Sequence, residues 1–259
     1  MVTEDKSSQG ASQEGEGRPG LPPISPAKRK RLQQMFEHAN LQMRQENYDY
    51  ATDLFTHCVL GDPANPMYVQ SFLANLKQKY NNNKKGSNLA FMKTMGAKGM
   101  VEKARVQKDW PGILKHGVDV LKLNPWDVGT LTKMAGACEE LGYGEAQLCY
   151  LKLALEYDPN DVEVNRICAR ALRARKRYDE AIVCWHRVEK AKPGDDEAAR
   201  AISSLAVEKT IAKGSYLTDD VVSKKVLDQR AEGQELTPEQ RLEREIRRNP
   251  KDIDKYKEL

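Results

Sequence analysis

The chain has 259 residues, a formal charge of +4, 39% hydrophobic residues and 31% charged residues, room for one array of about ten helices with tails. It contains no stretch of 18 apolar residues, and its first residues lack the apolar core of a secretion signal, so this reading excludes a membrane-spanning helix and expects a cytoplasmic protein. Five cysteines without a CxxC pair, and four histidines without HxxxH or HExxH spacing, argue against disulfides and metal sites and for reduced thiols packed as small hydrophobes.

Residues 1–27 are rich in Ser, Gly, Pro, Glu and Gln, too poor in apolar content to repay ordering, and are expected to form a disordered tail. The run Lys28-Arg29-Lys30-Arg31 then precedes a helix, where four cations oppose the helix dipole. Segment 28–65 places Met35, Ala39, Tyr48, Ala51, Phe55 and Cys58 at helical spacing and closes on Pro63. Segment 66–127 is an irregular basic insert followed by a degenerate helix pair. Helices are expected from about Met67 to Lys79 and Asn88 to Gln107 around an Asn-rich loop, with Met100, Ile113 and Val120 at packing positions.

Segments 128–161 and 162–195 are the clearest helix hairpins. The first shows Leu131, Met134, Ala135 and Cys138, then Leu151 and Ala154; the second Cys168, Ala169 and Leu172, then Ala181, Trp185 and Val188. In the former, Gln147 occupies the place of a small residue with Ala146 beside it, which predicts a turn shortened by one residue. Acids at 195–197 open a capping helix over 196–213, residues 214–236 are read as a linker with a marginal helix, and Thr237-Pro238-Glu239 caps a further helix in 237–259. That last segment ends in Arg248-Asn249-Pro250, with Tyr256 and Leu259 where a new hairpin would show its bulky pair, so self-association through it is one alternative.

Pro125, Pro159 and Pro193 recur at a period of about 34 residues, and each closes a helix-like run. Counted with Pro193 at position 32, the small residues Ala169 and Ala181 fall at 8 and 20 and Cys168, Leu172 and Trp185 at 7, 11 and 24, with Asn165 at position 4 in place of a large apolar residue; the copy ending at Pro125 is weaker, with Ile113 in place of the small residue at 20. This pattern resembles the tetratricopeptide repeat (TPR) and is similar to that of bacterial TPR proteins. The resemblance spans roughly residues 28 to 212 and implies an all-α solenoid of stacked antiparallel hairpins whose concave face binds an extended or helical segment of a partner protein.

In that frame Arg166, Arg170 and Arg173 stand at positions 5, 9 and 12, which in a TPR face the groove. Three guanidiniums on one stripe repel one another unless carboxylates or phosphates lie opposite, so they are the foremost candidates for binding an acidic partner segment. Lys133 and Asn40 share this groove assignment. A carboxylate clamp of the co-chaperone kind is not expected, because Phe36 stands where such a clamp needs lysine and Glu163 and Ile167 occupy two of its other positions.

Between residues 77 and 108, nine Lys or Arg residues face a single acid, Glu102. Lys84, Lys85, Lys93 and Lys98 are therefore candidates for a polyanion site, with nucleic acid as the alternative partner, although only Tyr80 and Phe91 interleave as stacking platforms. Neither a GxGxxG nor a GxxxxGK[ST] motif is present, and adjacent acids such as Glu139 and Glu140 project about 100° apart on a helix. No enzymatic activity and no cofactor are expected. The sequence reading is thus of a non-enzymatic interaction scaffold or adaptor.

Overall fold

The computed structural model describes residues 24–232, with side chains through Gly214; the expected tail and the 237–259 segment lie outside this range. Among the described residues there are ten helices and no strand. They are α1 (Pro26–Arg44), α2 (Tyr48–Gly61), α3 (Pro66–Lys79), α4 (Ala90–Val106), α5 (Trp110–Leu121), α6 (Val128–Glu140), α7 (Gly144–Tyr157), α8 (Val162–Ala174), α9 (Tyr178–Ala191) and α10 (Asp196–Glu232).

Each hairpin is set by local chemistry. Asp127, Asp161 and Asp195, evenly spaced one repeat apart, accept hydrogen bonds from the main-chain N–H of Thr130, Val164 and Ala198 at 3.0, 2.8 and 3.0 Å, capping α6, α8 and α10. The turn inside each hairpin carries one left-handed residue: Lys108, Gly142 and Lys176, again one repeat apart, and Glu46 in the first pair. Gln147 occupies the crossing position in register with Ala51 and Ala181, so the predicted shortening of that turn does not occur. Its buried amide is accommodated by Glu139, to which Nε2 donates at 3.3 Å, and by Arg175, which donates to Oε1 at 3.2 Å. Asn165 is likewise buried where a large apolar residue is usual, and its Nδ2 donates to the carbonyls of Pro159 and Asp161.

A continuous apolar core runs from Leu32 to Leu205. Ala39, Ala51, Ala135, Ala154, Ala169 and Ala181 are fully buried and let the helices of each hairpin approach closely, while Phe55, Phe72, Met134, Leu151 and Trp185 fill the spaces between hairpins. Burying each large side chain contributes about 1.5–3 kcal/mol. All five cysteines are free and buried in this core, and burial pushes the Cys58 thiol up to about 11.

The hairpins are α1 with α2, α4 with α5, α6 with α7 and α8 with α9. Helix α3 starts like the first helix of a repeat, capped by Asn65 just as Asp127 caps α6, but no second helix of its own repeat follows. It packs instead on α2 and on α7, far along the chain, while α2 touches α5. Phe36 of α1 ties this group together, with ring centroids 5.8 Å from Phe55 and 5.0 Å from Tyr68. Segment 66–107 is therefore not a hairpin of two mutually packed helices.

The Asn-rich loop between α3 and α4 is built into the fold. Asn83 accepts from the N–H groups of Lys85 and Gly86, Ser87 N donates to Leu123 O at 2.8 Å, and the Tyr80 hydroxyl donates to Lys122 O at 2.6 Å. Trp126 is buried beneath it, edge-on to Tyr80 and with the Lys84 ammonium 5.8 Å above its ring.

Two boundaries differ from the sequence reading. Helix α1 begins at Pro26 with Ser25 as its cap, so the basic run lies within its first turns. Helix α10 continues to Glu232, through most of the stretch 214–236 read as a linker, because residues 215–232 contain neither glycine nor proline to stop it. The chain divides into two compact units at Leu205 and Ala206; of the second, the described part is the continuation of α10.

Candidate functional site

The first helices of the consecutive hairpins, α4, α6 and α8, turn one side toward their partners α5, α7 and α9. With 3.6 residues per turn, the side facing away carries Met95, Gly99, Glu102 and Val106 on α4, Gly129, Lys133, Gly136 and Glu140 on α6, and Glu163, Arg166, Arg170 and Arg173 on α8. Met95 is 61% and Val106 72% exposed, and a side chain added at Gly99 or Gly136 would meet nothing within 4 Å. The surface thus passes from apolar at α4, through bare helix backbone at α6, to basic at α8.

The arginines of α8 are not equivalent. Arg166 is largely enclosed, pairing through Nη2 with Asp195 at 2.5 Å and through Nε with Glu197 at 3.2 Å. Arg170 is half exposed and lies 3.6 Å from Glu197 and 4.0 Å from Glu163. Arg173 is exposed. The carboxylates required opposite Arg166 and Arg170 are therefore supplied, at least in part, by the α8 and α10 helices themselves. Lys133 reaches across to Glu102 at 3.0 Å, and Asn40 is turned back onto its own helix, Nδ2 donating to Phe36 O at 2.9 Å.

The basic segment is partly neutralised in the same way. Lys77 pairs with Glu156 at 2.6 Å, Lys79 with Asp49 at 2.5 Å, Lys84 with Glu156 at 3.7 Å, Arg105 with Glu102 at 2.5 Å, and Lys98 with Asp127. Lys85 and Lys93 are exposed. The four polyanion candidates are thus divided between two internal pairs and two solvent-facing cations on different turns of the chain.

Lys98 with Asp127 and Arg166 with Asp195 are the same contact one repeat-pair apart: a cation at position 5 grips the aspartate that caps the next repeat. In the intervening copy the position is Thr132. Burial raises the Asp127 pKa, but the hydrogen bonds from Lys98 and Thr130 outweigh it and leave the carboxyl below its ordinary range. The N–H of Ala198 and the Lys192 ammonium lower that of Asp195, and Arg105 and Lys133 hold Glu102 at about 2.

A carboxyl whose pKa is lowered by folding favours the folded state when ionised, so its contribution is complete above the unfolded value near 4 and lost as pH falls below it. Thermal unfolding is expected at a constant temperature from pH 7 to 5 and at falling temperature below about pH 4. Asp127→Asn and Asp195→Asn together should flatten that acid limb; an unchanged limb in the double variant would exclude these two carboxylates as its source.

Sequence reasoning missed the exposed apolar residues Leu89, Met92 and Met95 of α4 and its entry, and placed Met100, which is also exposed, at a packing position. The signal was present, because the run Ala90-Phe91-Met92-Lys93-Thr94-Met95-Gly96-Ala97 places apolar residues around the whole helix instead of on one side. Among the described residues no group of acids, histidines and cysteines could hold a metal ion, and no helix is long and apolar enough to cross a membrane.

No family model and no curated protein matches the chain. Among solved structures it is similar to the first TPR of Spaghetti (RPAP3) bound to the HSP90 peptide SRMEEVD, at 18% identity over 45% of this chain and 93% of that one, with a TM-score of 0.41. It is also similar to the TPR2B domain of yeast Sti1 in a pHsp70 complex, at 24% identity over 47% of this chain and 98% of that one, with a TM-score of 0.40. The P58(IPK) TPR domain matches at 10% identity over 87% of this chain and 75% of that one, with a TM-score of 0.46. The chain's own register is internal: the capping aspartates Asp127, Asp161 and Asp195, the left-handed turn residues Lys108, Gly142 and Lys176 and the closing prolines Pro125, Pro159 and Pro193 each recur at an interval of 34 residues. Residues 26 to 205 thus form a TPR-like stack of helix hairpins, regular from Lys108 onward and interrupted at α3.

Proposed function

We propose that the chain is a non-enzymatic interaction scaffold that binds a segment of a partner protein across the outward sides of α4, α6 and α8. The observation that carries this reading is a surface repeated in three successive hairpins and left bare at Gly99 and Gly136. A segment lying there would meet apolar side chains at Met95 and Val106, close backbone approach at Gly136, and cations at Lys133, Arg170 and Arg173, which favour carboxylates on the segment. Preformed helices keep the ordering cost of such binding low.

A photo-crosslinking residue placed at Gly136 should capture a protein partner from cell extract after nuclease treatment. The same residue at His186, exposed on α9, should not. Arg170→Glu should reduce the Gly136 adduct roughly tenfold, equivalent to about 1.4 kcal/mol. Equal capture at both positions, or loss of the adduct on nuclease treatment alone, would remove the proposal and direct attention to the basic segment 77–108.

A further inference from the structure

Every later first-helix in the array packs against the second helix of the hairpin before it: α6 on α5 and α8 on α7. The contact is close. Met134 of α6 is buried against Gly117 of α5, where an added methyl would lie 2.4 Å from the Met134 sulfur. Helix α4 has no such neighbour among the described residues, because α2 and α3, which precede it, are packed against α5 and α7. Met100 occupies the repeat position of Met134, which the sequence reading treats as a packing position; it is 43% exposed, and no second helix of a preceding hairpin covers it among the described residues.

The uncovered edge has a regular make-up. Ion pairs from Lys98 and Glu102 to Asp127 and Lys133 fix the side of α4 that faces α6. On the opposite side, Met92, Gly96 and Met100 follow one another at intervals of four residues, with Met92 66% exposed, and the left-handed residue just before the helix, Leu89, is 69% exposed. A side chain added at Gly96 would meet nothing within 4 Å, which leaves room for another backbone to come close. Lys93 and Lys103 flank the stripe, both exposed, and the one acid of α4, Glu102, is already held by Lys133 and Arg105.

We infer that this edge of α4 docks an amphipathic helix of a partner protein, apolar on one side and acidic on its flanks, which supplies the second-helix neighbour that α4 lacks. The stripe sets its exposed apolar residues one helical turn apart, the spacing a docked helix reads. The lysines select carboxylates, and they disfavour a second copy of the same edge, whose lysines would repel these. This surface is distinct from the side of α4, α6 and α8 described above, so either can fail without the other.

The test is selection from a displayed library of helical 18-residue peptides on the full chain. Binders should be enriched in Leu, Ile or Phe at positions i, i+3, i+4 and i+7 with Glu or Asp beside them. They should lose roughly tenfold or more in affinity for Met92→Glu/Met100→Glu, checked for native circular dichroism, and be unaffected by Arg170→Glu. Enrichment of basic or non-helical peptides, no enrichment above the starting library, or equal binding to the double variant overturns the inference. So does dimerisation of the wild type, or its adsorption to phosphatidylserine vesicles, if either disappears in that variant while no acidic helix is selected.

Discussion

Gly86→Ala is expected to destabilise the protein by about 3 kcal/mol, from left-handed strain of roughly 1–2 kcal/mol and overpacking of roughly 1–3 kcal/mol. Gly86 has φ +76°, and a methyl built on it would stand 2.4 Å from Leu123 O and 2.8 Å from Asn124 Cα. Both contacts are backbone atoms of the connection between α5 and α6, so no side chain can swing away. Gly194 is the internal control: it shares the left-handed conformation at φ +81° but has nothing within 4 Å, and its alanine variant should cost only the conformational part, about 1–2 kcal/mol. Urea unfolding of both variants separates the two contributions; identical midpoints would mean that the contact with Leu123 is not tight in solution.

Trp126→Ala should cost about 3–5 kcal/mol, the range for deleting a buried aromatic side chain. Trp126 is 2% exposed and is the surface on which Tyr80 and Lys84 sit, so its removal also releases the loop from the array. Trypsin should then cut after Lys84 or Lys85 under native conditions far faster than in the wild type. Trp126→Phe, which keeps a ring for Tyr80, should restore most of the resistance. A stable alanine variant with an unchanged cleavage pattern would show that the loop is held by its hydrogen bonds to Leu123 and Lys122 alone.

The two regular hairpins were legible in the sequence because their determinants are local: Asp127 and Asp161 before the first helices, small residues such as Ala135, Ala169 and Ala181 at the crossings, and Pro159 and Pro193 after the second helices, all within a single repeat. Pairing was not legible, since Arg166 finds Asp195 across 29 residues and Lys77 finds Glu156 across 79, and nothing in a run of like charges names its distant partners. Nor was the placement of α3. Its apolar residues Val69, Phe72 and Leu76 announce a buried helix, but the neighbour that buries it is chosen by the missing half-repeat that follows. The same omission exposes Met100, which the repeat pattern by itself assigns to the interior.

Because α3 lies against α7, the array does not depend on nearest neighbours alone, and this has a consequence for its synthesis. A regular repeat chain can condense unit by unit as it leaves the ribosome, each hairpin settling on the last. Here the α7-facing side of α3 must wait from the synthesis of Lys79 until that of Tyr157, about 4–16 s at roughly 5–20 residues per second. During that interval the nascent chain presents a preformed apolar helix, a site for chaperone capture or for wrong pairing with a neighbouring chain. Once closed, the same contact joins the two ends of the long segment from Pro66 to Tyr157, so the first seven helices are expected to unfold together and not to fray from the N-terminus.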